Sequence, residues 1–172
     1  MAAGNTYESI ATATIASDGQ GWDFTSIPST YTDLRLVIYG RGTYASTTFG
    51  GYGRLNNDSG TNYSYTRLFS DGSAQSQRNA NTDTFNVGEL PSANATANVF
   101  GQAVIDIFNY ANTTTYKTLL VRTSTMTSTS YTFTYVNLWR STAAINRITF
   151  GTAGLNSMKA GSMATLYGIA SA

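Results

Sequence analysis

The sequence contains no cysteine and no histidine among its 172 residues. It therefore cannot form disulfides, thiolate nucleophiles or imidazole bases, and it lacks the commonest ligands of zinc and copper. Charged residues make up only 11% of the chain, against roughly 25% in an average soluble protein. Ten basic and nine acidic side chains leave a net charge of +1, too little for a surface that binds phosphate backbones. We expect no nucleic-acid partner, no metal and no cofactor.

Long apolar runs are also missing. No stretch approaches the roughly 18 consecutive apolar residues of a membrane-spanning helix. The first residues, MAAGNTYES, have neither the basic nor the apolar region of a signal peptide. We expect neither membrane insertion nor secretion, and the length predicts a single domain over residues 1–172.

Small polar and β-branched residues dominate what is present. The chain has 28 Thr, 18 Ser and 14 Asn, together with 12 Tyr, 8 Phe and 2 Trp. Alternation of apolar and polar residues is clearest from Ser130 to Trp139, which indicates a strand. Further strands are predicted at 7–16, 33–41, 51–55, 63–70, 83–90, 99–109, 116–124, 145–150 and 164–169. Any helix should be a single turn, at 93–98 or 142–144.

Sixteen Gly and only two Pro fit tight turns that are made by permissive backbone. Short strands with regular turns at this length predict an all-β fold. We expect an antiparallel two-sheet sandwich with jelly-roll or Greek-key connections.

Three segments are candidate interaction arms. Residues 73–82 contain no large apolar side chain and are predicted to form a long exposed loop or arm. Residues 42–53 carry aromatic rings that would be costly to leave in water, so we expect them to contact the body of the protein or a partner. The N-terminal segment 1–10 is the third.

The nine carboxylates do not indicate catalysis. Asp18, Asp58 and Asp71 lie beside Gly, Ser or Asn in turns, where aspartates ordinarily bind local backbone N–H groups. Residues 56–58 could offer calcium ligands but lack the pattern of a calcium loop. Asp106 lies within an apolar run, so it should face outward or pair with Arg35, Arg122 or Arg140. No catalytic residue is predicted.

Aromatic rings leave one further alternative, a carbohydrate-binding module, because sugars stack on such rings. The candidate platform consists of Trp22, Tyr44, Tyr52 and Tyr63. The strand spacing around Trp22 and Trp139 favours packing in the core or between subunits instead.

Several strings resemble a family of small virion structural proteins of tailed bacteriophages. They are YTDLRLVI at 31–38, GTNYSYTRL at 60–68, AVIDIFNYANTTTYKTLL at 103–120, LWRSTAAINRITF at 138–150 and AGSMATLYGI at 160–169. The resemblance implies a location in the virion, after synthesis in the bacterial cytoplasm, and a head-decoration or tail-fibre role without enzymatic activity.

We therefore predict a capsid decoration or cement protein, whose partners are the major capsid protein or other virion subunits. A trimer is the natural homo-oligomer at a three-fold lattice site. The predicted partner-binding residues are the aromatic Tyr44, Phe49 and Tyr52 and the arginines Arg41, Arg54 and Arg78. A tail-fibre, tailspike or knob component for host attachment is the main alternative, and a carbohydrate-binding module is the second.

Overall fold

The computed structural model describes residues 6–127, 130–151 and 158–170, and within them the chain forms strands and turns but no helix. The strands are β1 (Tyr7–Thr14), β2 (Trp22–Phe24), β3 (Asp33–Gly40), β4 (Thr48–Leu55), β5 (Tyr63–Ser70), β6 (Ala74–Thr82), β7 (Phe85–Pro91), β8 (Gly101–Ile107), β9 (Lys117–Met126), β10 (Ser130–Trp139), β11 (Ile148–Phe150) and β12 (Met163–Ile169).

The strands form two antiparallel sheets. The large sheet has eight strands in the order β1-β12-β3-β8-β9-β10-β5-β6, and the small sheet has four in the order β2-β11-β4-β7. The predicted all-β fold with two antiparallel sheets is confirmed.

A single hydrophobic core joins the two sheets. The large sheet contributes residues such as Leu34 and Ile105, and the small sheet contributes Leu55, Phe85 and Phe150. In β9 and β10 every second residue is buried and its neighbours are mostly exposed. This alternation is the two-residue period that the sequence displays, because successive side chains in a strand point to opposite faces.

Side chains of the large sheet also bind the free edge of β7. The Asn137 side chain accepts a hydrogen bond from the Asn86 backbone N–H at 2.8 Å, and its amide donates to the Asn86 carbonyl at 3.0 Å. The hydroxyls of Thr123 and Thr125 donate to the carbonyls of Val87 and Glu89. These polar groups satisfy an edge that would otherwise be unpaired.

The structure corrects two of the predicted arms. Residues 73–82 are not a loop, because Ala74–Thr82 forms the edge strand β6 and pairs along β5. Its polar composition is that of an edge strand exposed on both faces, which needs backbone pairing but no buried side chain. Within 42–53 only the first residues form a connection, since β4 begins at Thr48. Of the N-terminal segment, 7–10 belong to β1, and 1–5 lie outside the described residues.

Two smaller predictions also change. The segments 93–98 and 142–144 are turns and bends without a helical turn. The strand at Trp22–Phe24 was not predicted, because three residues are too few to display alternation.

Candidate functional site

A cleft lies between the side of β4 and β7 that faces away from the core and the ends of β5 and β6. We call it the tyrosine cleft, and it has a volume of about 340 Å³. It is lined by two aromatic rings, an ion pair and several amide and hydroxyl groups, contributed by Tyr52, Arg54, Tyr65, Asn79, Thr82, Asp83, Thr84 and Asn86.

A β-bulge determines which side chains β7 presents to the cleft. Asn86 pairs with Tyr52 and Glu89 pairs with Gly50, so the two residues of β7 lie on the same side as Tyr52. Between them, Val87 and Gly88 are both buried, and Gly88 has a φ of +99°. That conformation favours glycine. The bulge therefore places an amide and a carboxylate on one side of the strand, where a regular strand would separate them.

The opposite wall is an aromatic cluster around Tyr65. The Tyr65 ring packs edge-on against Tyr135, with 5.5 Å between the ring centroids. Arg67 donates to the Tyr135 hydroxyl at 2.9 Å, and its guanidinium carbon lies 4.4 Å from the centroid of the Phe69 ring. Arg67 also donates to the Gln77 side chain. These contacts hold the rings of this wall in place.

The surroundings of the Tyr52 hydroxyl shift its pKa. Burial raises the pKa of Tyr52 above its ordinary value, and the nearby Glu89 carboxylate raises it further. The ring of Tyr52 lies over Gly50, where an added Cβ would approach the Tyr52 hydroxyl oxygen to 2.6 Å. The hydroxyl therefore remains protonated at neutral pH, as a fixed donor and acceptor.

At the mouth of the tyrosine cleft, Arg54 and Asp83 form an ion pair. The Arg54 Nη2 atom lies 2.6 Å from the Asp83 Oδ2 atom, and Arg54 Nε donates to the Asp83 carbonyl at 3.1 Å. Thr82 donates to the Thr84 carbonyl at 3.0 Å. The short segment between β6 and β7 is thus fixed by its own hydrogen bonds.

A second feature is the side of the large sheet that faces away from the core, which we call the outer face. At its centre the Asp106 carboxylate binds Arg35 Nε at 2.5 Å and Arg122 Nη2 at 3.0 Å. The expectation that Asp106 meets a cation is confirmed for these two arginines. Hydrogen bonding to Asp106 raises the pKa of Arg35, and the Arg35 guanidinium carbon lies 5.4 Å from the centroid of the Tyr7 ring.

The outer face also carries most of the exposed apolar side chains. Nine large hydrophobic side chains are exposed in the described residues, and strand register assigns six of them to this face: Tyr7, Tyr39, Leu68, Met126, Val136 and Met163. Two shallow grooves of about 490 and 550 Å³ run along it. Within residues 6–127, 130–151 and 158–170, no other element covers this face.

The predicted partner-binding residues separate into buried and accessible ones. Arg41 and Phe49 are each only 4% exposed, so they do not lie on the surface of the chain. Phe49 is part of the hydrophobic core, and Arg41 binds backbone carbonyls of the connection between β7 and β8. Tyr44 is 65% exposed and is available to a partner.

The remaining three predicted residues lie on two different sheets, Tyr52 and Arg54 on β4 of the small sheet and Arg78 on β6 of the large sheet. Tyr52 and Arg54 line the tyrosine cleft, whereas Arg78 lies on β6 and lines a groove of the outer face. The structure therefore does not bring the six residues together into one site.

The aromatic platform considered for sugar binding is not formed. Trp22 and Tyr63 are fully buried, and Tyr63 accepts a hydrogen bond from the Leu55 backbone N–H at 3.0 Å. Tyr52 instead faces Tyr65, a residue that sequence reasoning did not select. Strand pairing between β5 and β6 places Asn79 opposite Tyr65, and no local pattern in the sequence indicates that juxtaposition.

Most of the described carboxylates bind groups of the chain itself. Asp58 accepts from the Trp139 indole N–H at 2.7 Å and from the Asn62 amide, and Asp33 accepts from the Asn109 backbone N–H at 2.6 Å. Asp23 pairs with Arg147 at 2.6 Å. Asp58 also accepts from the Gly60 backbone N–H at 2.9 Å, which is the local turn contact that the sequence predicts. The bonds to Trp139, Asn109 and Arg147 join distant parts of the chain and were not predicted.

One buried cation was not anticipated. Lys117 is fully buried, and its ammonium donates to the carbonyls of Thr115 and Thr142 at 2.7 and 3.3 Å. Burial lowers its pKa. Because its donors are engaged by backbone carbonyls, Lys117 links the start of β9 to the connection after β10.

No helix in the described ranges has the length and apolar character to cross a membrane. Among these residues, no three carboxylates gather as a metal site would require. No protein-family model matches the chain, and comparison with curated proteins and with solved structures finds no significant match.

Proposed function

We propose that this protein is a structural component of a bacteriophage particle, a decoration protein that binds the assembled head lattice. The resemblance of its sequence strings suggests the particle, and one structural observation supports the mode of action. That observation is the outer face, which in the described part of the chain combines exposed apolar side chains with two arginines held by Asp106.

The outer face has the composition of a protein-binding surface. Isolated exposed hydrophobic residues are ordinary, but a concentration of them on one sheet marks an interaction site. Leu68 and Val136 are 62% and 49% exposed and lie on neighbouring strands. Arg35 and Arg122 are held by Asp106 and remain partly accessible, so they offer directional donors to carboxylates of a capsid subunit.

We further propose a jelly-roll connectivity. If β5, β6, β9 and β10 are set aside, the other strands pair as β4 with β7, β3 with β8, β2 with β11 and β1 with β12. These four pairings are those of one long antiparallel hairpin, in which successive strand pairs belong alternately to the small and the large sheet. Wrapping such a hairpin gives a double-sheet jelly roll. The two remaining pairs then extend the large sheet beyond β8.

Decoration would act through binding energy alone. A protein that binds the assembled lattice but not free capsid subunits stabilises the shell by mass action. The two edge strands of the large sheet, β1 and β6, include the described parts of two predicted arms. Trimerisation would repeat the outer face around a three-fold site and raise the effective concentration of neighbouring contacts.

Copy number in purified particles tests the proposal. Gel densitometry against the major capsid band should give on the order of hundreds of copies per particle, as lattice symmetry requires. A small multiple of three or six would contradict decoration and favour the tail-fibre alternative. Absence of the protein from particles would overturn both.

Binding to particles stripped of the protein tests the outer face itself. The double variant Leu68→Asp, Val136→Asp should bind at least tenfold more weakly, because each change places an uncompensated charge in the contact. Tyr116→Asp is the matched control, since Tyr116 is similarly exposed at 55% but lies in the connection before β9. If the double variant binds as strongly as the wild type, the outer face is not the surface that contacts the lattice.

A further inference from the structure

We propose that the tyrosine cleft is a binding site for a neutral saccharide, formed by Tyr52, Tyr65 and Asn79. This activity is separate from lattice attachment. The cleft lies on the side of β4 and β7 that faces away from the core, whereas the proposed lattice contact is the outer face of the large sheet. The two adjoin at β5 and β6, where Tyr65 and Asn79 also line one groove of the outer face.

Two tyrosine rings supply apolar surfaces of the kind on which sugar rings stack. Both Tyr52 and Tyr65 are only partly buried. Tyr65 packs edge-on against Tyr135 at 5.5 Å, and the Tyr52 ring lies over Gly50. Because the rings are fixed before the ligand arrives, little conformational entropy is lost on binding.

The polar groups around the rings match sugar hydroxyls, which both donate and accept hydrogen bonds. The amides of Asn79 and Asn86 offer one donor group and one acceptor group each. The Asp83 carboxylate is about half exposed at 53% and is oriented by Arg54. The carboxylate can accept a hydrogen bond from one sugar hydroxyl while the neighbouring guanidinium donates to the adjacent one.

Charge balance and volume define the class of ligand. Arg54 and Arg67 supply two positive charges in and beside the cleft, and Asp83 and Glu89 supply two negative ones. An anionic or cationic ligand would gain no net attraction, so a neutral polyol is favoured. The volume of about 340 Å³ is at the lower end of small-molecule sites, which suits one or two sugar rings.

Binding of a panel of neutral disaccharides to the full chain tests the site. We would use maltose, cellobiose, lactose and diacetylchitobiose with saturation-transfer NMR and calorimetry. At least one should bind saturably with a Kd of about 1 mM or below, as expected for a small open site. Tyr65→Ala and Asn79→Ala should each weaken that binding about tenfold.

Asn79→Ala keeps the test decisive if the tyrosine variant unfolds, because Asn79 is exposed on an edge strand. Tyr44→Ala is the matched control, since this exposed tyrosine lies outside the cleft, and it should bind as the wild type does. The inference is overturned if no member of the panel binds, if binding survives both cleft variants, or if only acidic oligosaccharides bind. Asn86→Ala changes a residue that lines the cleft and neither groove of the outer face. It should weaken sugar binding and leave particle copy number unchanged, so failure here is distinguishable from failure of the decoration proposal.

Discussion

Arg41 is a buried cation whose removal should destabilise the protein substantially. Its Nη1 atom donates to the carbonyls of Thr96 and Val99 at 2.7 and 2.9 Å. Its Nη2 atom donates to those of Ala93 and Ala95 at 3.2 and 2.9 Å. One side chain thus holds four carbonyls of the connection between β7 and β8.

The magnitude follows from these four bonds. A hydrogen bond to a charged group contributes about 1.5–3 kcal/mol, but the four share one side chain and are not additive. Water can also replace some of them, because several residues of the connection are exposed. We expect Arg41→Met to lower the free energy of unfolding by about 3–5 kcal/mol, and the melting temperature by at least about 6 °C for a chain of this length.

Urea unfolding followed by tryptophan fluorescence measures this loss. Arg41→Lys should be intermediate, because an ammonium has three donors and cannot reach four carbonyls. Arg78→Met is the matched control on an exposed arginine, where a change within about 0.5 kcal/mol is expected. Amide exchange in residues 93–99 should accelerate in Arg41→Met. A loss below about 1 kcal/mol would refute the assigned role of the guanidinium.

Three further predictions concern stability. Gly53→Ala should cost about 2–3 kcal/mol in urea unfolding, because its Cβ would lie 2.2 Å from the buried Phe85 ring; an unchanged midpoint would contradict this packing. Asp106→Asn should cost about 1–3 kcal/mol by leaving two arginines without their carboxylate, and a neutral effect would show that the cluster does not stabilise the fold. Burial raises the pKa of Asp58, but hydrogen bonds from Trp139 and other donors outweigh it and lower the pKa below its ordinary value. The ionised Asp58 carboxylate therefore stabilises the fold fully above the unfolded-state pKa of about 3.9, and this contribution is lost as pH falls through the lower folded-state pKa. Asp58→Asn has no such carboxylate, so urea titrations should show a smaller loss of stability between pH 5 and pH 2 for the variant than for the wild type.

The strands that sequence analysis located best are those with one buried face. The bounds of β5 and β10 coincide with the predicted ones, because alternation marks where a strand enters and leaves the core. The β6 strand was missed for the complementary reason. Its stability comes from backbone pairing with β5, and such pairing leaves no periodic signal in the side chains.

The candidate site was only partly foreseeable. Tyr52 and Arg54 were selected as aromatic and cationic candidates for contact with a partner, but the selection joined them to Arg41 and Phe49, which are buried within the chain. Whether a residue in a glycine-rich segment points inward depends on the strand register. That register is set by the bulge at Gly88 and by the partner strand, not by the residues nearby in sequence.

The sequence by itself determined the class of structure and the chemistry available to it. Its β-branched, aromatic and hydroxyl-rich composition favours strands, and the absence of thiols and imidazoles leaves hydroxyl, amide, carboxylate, ammonium and guanidinium groups as its polar chemistry. Only the tertiary structure decided which tyrosines, amides and arginines meet. These side-chain contacts depend on pairing between strands that are distant in the chain, and local periodicity carries no information about which strands become neighbours.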